Sequence, residues 1–183
     1  MRITACLLLL STLLLTQCKL FKKDSPAPVE QLPAATQEGK NSFGCLVNGQ
    51  PWTPKGKIGP TSNYRVNYDP GYAKGTLNVI AYNVRSKDKN DQQYIGLYSD
   101  SLSRTGTYPL STLGRYGAGF DDALTGCDYR LGVNDLTVYT SGSLTITRLD
   151  MKVGIIAGTF EFTLAKPGCD TIRVTQGRFD KKL

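Results

Sequence analysis

The chain has 183 residues, of which 40% are hydrophobic and 20% charged, a composition typical of one compact globular domain. It contains no histidine, which excludes Ser-His-Asp and Cys-His hydrolases, histidine-ligated zinc and any mechanism with imidazole as the base. The formal net charge is +7, but the basic residues are scattered singly and do not predict nucleic-acid binding. A mild affinity for anionic glycans or lipid headgroups is the expected consequence of this charge.

An apolar segment near the start of the chain predicts export. Met1 and Arg2 precede the run Leu7–Leu15, which at 1.5 Å per residue is too short to cross a bilayer core of about 30 Å. We therefore predict a signal peptide over residues 1–17. The four residues that end at Cys18 resemble a bacterial lipobox, whose cysteine receives a diacylglycerol, so a lipid anchor at Cys18 in the cell envelope is expected. The alternative is an ordinary secretory signal with an incidental cysteine.

Residues 18–41 have the composition of a tether. They carry three of the nine prolines and no apolar periodicity, so they are predicted to form a flexible, partly extended linker. Lys19, Lys22 and Lys23 could contact anionic headgroups or simply stay solvated. A single β-domain is predicted over residues 42–183.

From residue 42 onwards the pattern predicts strands and turns. Asn48 and Gly49 predict a hairpin turn because both tolerate positive φ, and a bulge is predicted at Gly177. The alternation of apolar and polar residues predicts an antiparallel β-sandwich or flattened barrel of about 8–10 strands, an all-β fold. The predicted strands are Phe43–Val47, Thr76–Val84, Gln92–Ser99, Leu136–Thr140, Ser143–Thr147, Ile156–Leu164 and Thr171–Phe179, with Ser141 and Gly142 as a turn between the fourth and fifth.

Three cysteines lie in the predicted β-domain: Cys45, Cys127 and Cys169. An exported chain meets an oxidising compartment, so one disulfide among them is predicted, with all three pairings open and a bridge that involves Cys169 favoured. Three unpaired buried thiols are the alternative. A zinc site is not predicted, because paired C-x-x-C spacing is absent.

Acidic residues supply two candidate sites. Asp121 and Asp122 could bind calcium through carboxylate oxygens, although a solvated acidic turn explains the same pattern. Glycoside hydrolysis would need Glu161 paired with Asp150 or Asp122 across a cleft, and nothing else in the sequence supports that pairing. Calcium is thus the single cofactor that the sequence suggests.

Aromatic side chains and one arginine are the remaining candidate binding groups. Flat rings on a β-face can stack against sugars or pack at a protein interface. Tyr94 and Tyr98 alternate with apolar residues and are expected to be exposed, and the glycine-rich segment Leu110–Gly119 is predicted to be a mobile loop. The candidates are Trp52, Tyr94, Tyr98, Arg115 and Tyr116.

Segments 43–52, 142–150, 158–162 and 177–180 carry a resemblance. They resemble a family of small Bacteroidetes envelope lipoproteins of unknown function, in which an N-G-x-x-W opening, a G-x-L-x-I-T-x-x-D strand and a closing G-[RK]-F-D recur. The resemblance implies a lipid-anchored β-domain, expected at the outer membrane, and no established activity. We therefore predict a non-enzymatic domain that binds a protein or a glycan. The alternatives are a calcium-dependent or glycan-hydrolysing module and a barrel-type carrier of a small apolar ligand.

Overall fold

The computed structural model describes residues 32–57, 59–86, 91–130 and 136–183, which contain ten β-strands and no helix. The all-β prediction is confirmed. The predicted signal peptide, Cys18 and the first part of the tether lie outside the described residues. The strands are β1 Ser42–Val47, β2 Gln50–Trp52, β3 Tyr64–Asp69, β4 Thr76–Val84, β5 Gln92–Ser99, β6 Gly106–Ser111, β7 Tyr116–Asp122, β8 Tyr139–Asp150, β9 Ile155–Ala165 and β10 Ile172–Lys182.

The strands form two antiparallel sheets that pack face to face. The six-stranded sheet has the order β2-β1-β10-β9-β8-β6, and the four-stranded sheet has the order β3-β4-β5-β7. The sheets are not closed into a barrel, so the sandwich is the correct one of the two predicted architectures.

The core lies between the two inner faces and follows the alternation of the sequence. On β9, Phe160, Phe162 and Leu164 are buried, whereas the alternating residues Thr159 and Glu161 are exposed, as the pattern predicts. Each large apolar side chain that is fully buried contributes about 1.5–3 kcal/mol. The facing side of the four-stranded sheet supplies Leu77, Val79, Ala81, Ile95, Leu97, Ala118 and Phe120.

The predicted turn at Ser141 and Gly142 is wrong. Strand β8 runs without a break from Tyr139 to Asp150. A Cβ on Gly142 would lie 2.2 Å from the carbonyl oxygen of Glu161, so glycine is needed here for close approach to β9 rather than for a change of direction.

The predicted mobile loop Leu110–Gly119 is also wrong. Its first two residues end β6, and its last four begin β7, which leaves a short turn between them. Gly117, Ala118 and Gly119 are buried strand residues, although their composition is typical of a loop. Strands β3, β6 and β7 were not predicted.

Two predicted backbone features are confirmed. Asn48 and Gly49 adopt φ values of 48° and 81°, as a tight hairpin turn requires. The register of β10 against β9 shifts between Val174 and Gly177, which is the predicted bulge. A Cβ on Gly177 would lie 2.4 Å from the ring of Phe160, so the glycine lets the ring pack against the strand.

Asp180 fixes part of the predicted tether to the six-stranded sheet. Its carboxylate accepts hydrogen bonds from Thr36 Oγ1 at 2.6 Å and from the backbone N–H groups of Glu38, Gly39 and Lys40 at 3.0, 2.7 and 3.1 Å. Burial alone would raise the pKa of Asp180, but these donors outweigh burial and hold the pKa below its ordinary value. Because of this cover, Asp180 is 1% exposed although it faces away from the core.

Further contacts hold the chain against the domain as far back as residue 33. The carbonyl of Pro33 accepts a hydrogen bond from Arg178, and the carbonyl of Gln37 accepts one from Arg148. A Cβ on Gly44 would lie 2.6 Å from Pro33 Cδ, so the glycine makes room for the proline ring. The flexible linker predicted through residue 41 is therefore fixed to the domain from Pro33 onwards.

The disulfide joins Cys127 to Cys169, one of the three pairings that the sequence left open. It links the loop after β7 to the turn between β9 and β10. Cys45 is a free thiol in the core, and burial raises its pKa to about 12. Cys45 therefore stays protonated and unreactive at neutral pH.

Candidate functional site

The outer face of the four-stranded sheet collects the two tyrosines that the sequence singled out. Tyr94 and Tyr98 lie on β5 with their side chains opposite the buried Ile95 and Leu97. They are half-buried, so they are less exposed than the sequence predicts. The strand register places the outward-facing residues of this sheet in three rows that run across the strands. The rows are Asn67, Asn78, Tyr98 and Gly117; Arg65, Ile80, Gly96 and Gly119; and Tyr82, Tyr94 and Asp121. We call Tyr82, Tyr94 and Tyr98 with these neighbours the tyrosine surface.

Glycines beneath the rings determine how the tyrosines lie. A Cβ on Gly96 would meet Tyr94 Oη at 2.0 Å, so the Tyr94 side chain lies over the backbone of its own strand. Tyr98 Oη donates to the carbonyl oxygen of Gly114 at 3.4 Å, which directs this ring towards β7. The ring centroids of Tyr82 and Tyr94 are 5.3 Å apart. Tyr94 thus covers the backbone of β5, and all three rings remain partly exposed.

Charged side chains border the tyrosine surface next to Tyr94. Arg130 forms ion pairs with Asp128 at 2.5 Å and with Asp121 at 3.9 Å. Burial raises the pKa of Asp121, and burial together with the nearby Tyr82 raises the pKa of Tyr94. The Tyr94 hydroxyl is therefore neutral at physiological pH and can donate a hydrogen bond.

Asp121 and Asp122, the predicted calcium ligands, lie on opposite faces of β7. Asp121 points outwards, whereas Asp122 is buried beneath the sheet. Consecutive strand residues alternate between faces, so these two carboxylates cannot share an ion. Among the described residues, no group of three acidic, cysteine or histidine side chains is arranged to hold a metal.

Asp122 instead organises one end of the sandwich. Its carboxylate accepts hydrogen bonds from Arg85 at 2.7 and 3.0 Å, from Gln93 at 2.7 Å and from the Leu124 N–H at 3.1 Å. Burial would raise the pKa of Asp122, but these bonds lower it overall. Trp52 Nε1 donates to Gln93 Oε1 at 2.8 Å and so ties the six-stranded sheet to this network.

The carboxylates required for glycoside hydrolysis are not brought together. Glu161 lies on the outer face of β9. Asp150 lies on β8 and pairs with Ile155, which is about 20 Å from Glu161 along β9. Hydrolysis needs carboxylates about 5–9.5 Å apart. Asp122 faces the interior from the other sheet, so it is no partner for Glu161 either.

The other three predicted binding residues lie away from the tyrosine surface. Trp52 is 3% exposed and packs edge-on against Phe43, with ring centroids 5.8 Å apart. Tyr116 packs on Tyr108 at 4.9 Å, and Arg115 is exposed in the turn before it. Tyr82 is not among the predicted binding residues, although the alternation in β4 places it outwards beside Tyr94.

Comparison of the chain with models of protein families, with curated proteins and with solved structures gave no match. Among the described residues there is also no helix with the length and apolar character that a membrane span requires.

Proposed function

We propose that this chain is a lipid-anchored protein of the bacterial cell envelope, at the outer membrane, whose non-enzymatic β-domain binds a glycan through the tyrosine surface. The observation that carries the proposal is the arrangement of Tyr82, Tyr94 and Tyr98, three rings that lie against one sheet face and stay partly exposed. The lipobox-like segment at Cys18 and the family resemblance support the envelope location.

The chemistry of the tyrosine surface suits a sugar chain. Aromatic rings pack against the apolar faces of sugar rings, and Asn67 and Asn78 add amides that can both donate and accept hydrogen bonds. Tyr94 and Tyr98 are four residues apart, a distance of about 13 Å along the strand. An extended oligosaccharide can contact both rings at once, so longer chains are expected to bind more tightly.

A glycan fits this surface better than an apolar protein partner. The centre of a protein interface is depleted of charged residues other than arginine and enriched in aromatic residues and methionine, with a more apolar core than the rest of the surface. Here charges border the ring of Tyr94, and none of the exposed large apolar side chains of the described residues belongs to the three outward rows of the tyrosine surface. These side chains are Tyr72, Leu113, Leu124, Leu136, Tyr139, Met151, Val153 and Leu183.

Replacement of Tyr94 or Tyr98 by alanine is expected to weaken oligosaccharide binding about tenfold for each ring removed. Phenylalanine at either position should retain most of the affinity, because the ring rather than the hydroxyl makes the contact. The measurement is calorimetric titration with neutral, acidic and amino-sugar oligosaccharides. Tyr139→Ala is the matched control, since Tyr139 is exposed on the other sheet.

Two results would overturn the glycan proposal. One is the absence of heat with every oligosaccharide class for the wild-type chain. The other is a membrane protein that crosslinks to the wild type and is lost in the Tyr94→Ala variant, which would make the tyrosine surface a protein interface.

Replacement of Cys18 by serine is expected to prevent lipidation and to release the chain from the membrane fraction. The measurement is metabolic labelling with an alkyne fatty acid, followed by fractionation of cells that express the wild type or the variant. Cys45→Ser is the matched control and should stay labelled. A labelled Cys18→Ser chain, or an unlabelled wild type, would contradict the anchor.

A further inference from the structure

A cleft of about 400 Å³ opens at one end of the sandwich, on the opposite face of the four-stranded sheet from the tyrosine surface. It lies between the β1–β2 hairpin and the loop that the disulfide holds. The residues that line it are Val47, Asn48, Gln50, Pro51, Trp52, Asn83, Gln93, Phe120, Asp122, Thr125, Cys127, Tyr129, Asp170 and Ile172.

The floor of the cleft is apolar and rigid. Trp52, Phe120 and Tyr129 are each at most 3% exposed, and the last two rings lie 6.5 Å apart. Trp52 is held by its hydrogen bond to Gln93. Cys127 belongs to the wall, and its disulfide fixes the loop that carries Tyr129. The cleft is therefore preformed, which lowers the entropy cost of binding.

Polar groups around this floor are available to a ligand. Gln93 and Asp122 are occupied by the network with Trp52 and Arg85, whereas the side chains of Gln50, Asn83 and Asp170 form no hydrogen bond to another described residue. Amides donate and accept, and a carboxylate accepts. This combination matches the hydroxyl groups of a polyol.

The charged side chains that line the cleft are negative, although the chain as a whole is positive. The chain carries a net charge of +7, yet the cleft is lined by two carboxylates and by no lysine or arginine among the described residues. The guanidinium of Arg85, which lies beside the cleft residue Asp122, is engaged by Asp91 at 2.6 Å and by Asp122 itself. An anionic ligand would face Asp170 without a cationic partner, and such like-charge contacts are unfavourable.

We propose that this cleft is a second binding site, which takes an uncharged sugar and rejects its acidic counterpart. A volume of about 400 Å³ is at the small end of ligand pockets, so one or two sugar rings at the end of a chain would fill it. The site is separate from the tyrosine surface and does not require that surface to bind a glycan.

Trp52 is the single tryptophan of the chain, so its fluorescence reports on the cleft directly. The probes are glucose, galactose, N-acetylglucosamine and glucuronate. We expect at least one neutral sugar to shift the Trp52 emission in a saturable way, glucuronate to bind at least about tenfold more weakly, and Asn83→Ala to weaken the neutral sugar about tenfold. Asp170→Asn should reduce the difference in affinity between neutral and acidic sugars. Glu161→Gln, on the outer face of β9, should leave that difference unchanged.

The outcomes separate this site from the tyrosine surface. Neutral-sugar binding that survives Tyr94→Ala and is weakened about tenfold by Asn83→Ala supports the cleft even if the tyrosine surface binds nothing. Glucuronate binding as tight as that of the neutral sugars would overturn the proposal. No change in emission and no calorimetric heat with any of the four probes would overturn it too.

Discussion

Replacement of Asp180 by alanine is expected to lower the free energy of unfolding by about 3 kcal/mol and to release residues 33–40 from the six-stranded sheet. The carboxylate accepts four hydrogen bonds, and loss of a buried charged acceptor leaves the donors of Thr36, Glu38, Gly39 and Lys40 unpaired. Urea denaturation measures the first effect. Limited proteolysis measures the second, because a released segment is cleaved faster than a docked one.

Two further variants test this interpretation. Asp180→Asn keeps an acceptor oxygen but places an amide among N–H donors, so an intermediate loss is expected. Asp100→Ala removes an exposed carboxylate and should leave stability within about 0.5 kcal/mol of the wild type. If Asp180→Ala unfolds at the wild-type urea concentration, the docked segment contributes nothing to stability.

The Asp180 interaction also predicts a pH dependence. The pKa of Asp180 is lower in the folded state than its ordinary value, so the folded state favours the ionised form. The stabilisation is therefore present above the ordinary aspartate pKa of about 4 and is lost as pH falls through the folded value. The stability difference between wild type and Asp180→Ala should shrink below about pH 4, and a constant difference down to acid pH would contradict the linkage.

The four residues of the closing G-R-F-D segment have structural roles. Gly177 accommodates a core ring at the bulge, Phe179 is buried in the core, and Arg178 donates to the carbonyl of Pro33. Asp180 accepts hydrogen bonds from residues 36–40, which precede β1. This segment thus holds residues 33–40 against the six-stranded sheet.

The fold class was predictable because several strands alternate cleanly, above all β9. Strand β7 was not, because its outward positions Gly117 and Gly119 look like a loop when read alone. Their small size matches the tyrosines of β5, which lie over that part of the sheet. Because the glycines of β7 are explained by the tyrosines of the neighbouring strand β5, strand β7 cannot be recognised from its own residues alone.

The candidate site, like the fold, was only partly predictable from the sequence. The alternation in β5 indicated Tyr94 and Tyr98, but their grouping with Tyr82 depends on strand register. The docked segment is a stronger case, since Thr36 contacts Asp180 across 144 positions of sequence. The proline content predicts a flexible segment there, whereas hydrogen bonds with the distant Asp180, Arg178 and Arg148 hold it against the domain.

Reduction of the Cys127–Cys169 disulfide is expected to lower the free energy of unfolding by about 4 kcal/mol. The two cysteines are 42 positions apart, and the crosslink removes the corresponding loop-closure entropy from the unfolded chain. The measurement is urea denaturation of the wild type with and without a thiol reductant. Reduction should also weaken sugar binding in the cleft, because the loop that carries Tyr129 loses its attachment to the turn beside Asp170.

The double variant Cys127→Ser, Cys169→Ser provides the control. It should match the reduced wild type in stability and show no response to the reductant, since Cys45 remains a buried thiol in both states. An equal response of variant and wild type would assign the effect to something other than this bond. A wild type that keeps its urea midpoint after complete reduction would show that packing around the loop, rather than the crosslink, maintains this end of the sandwich.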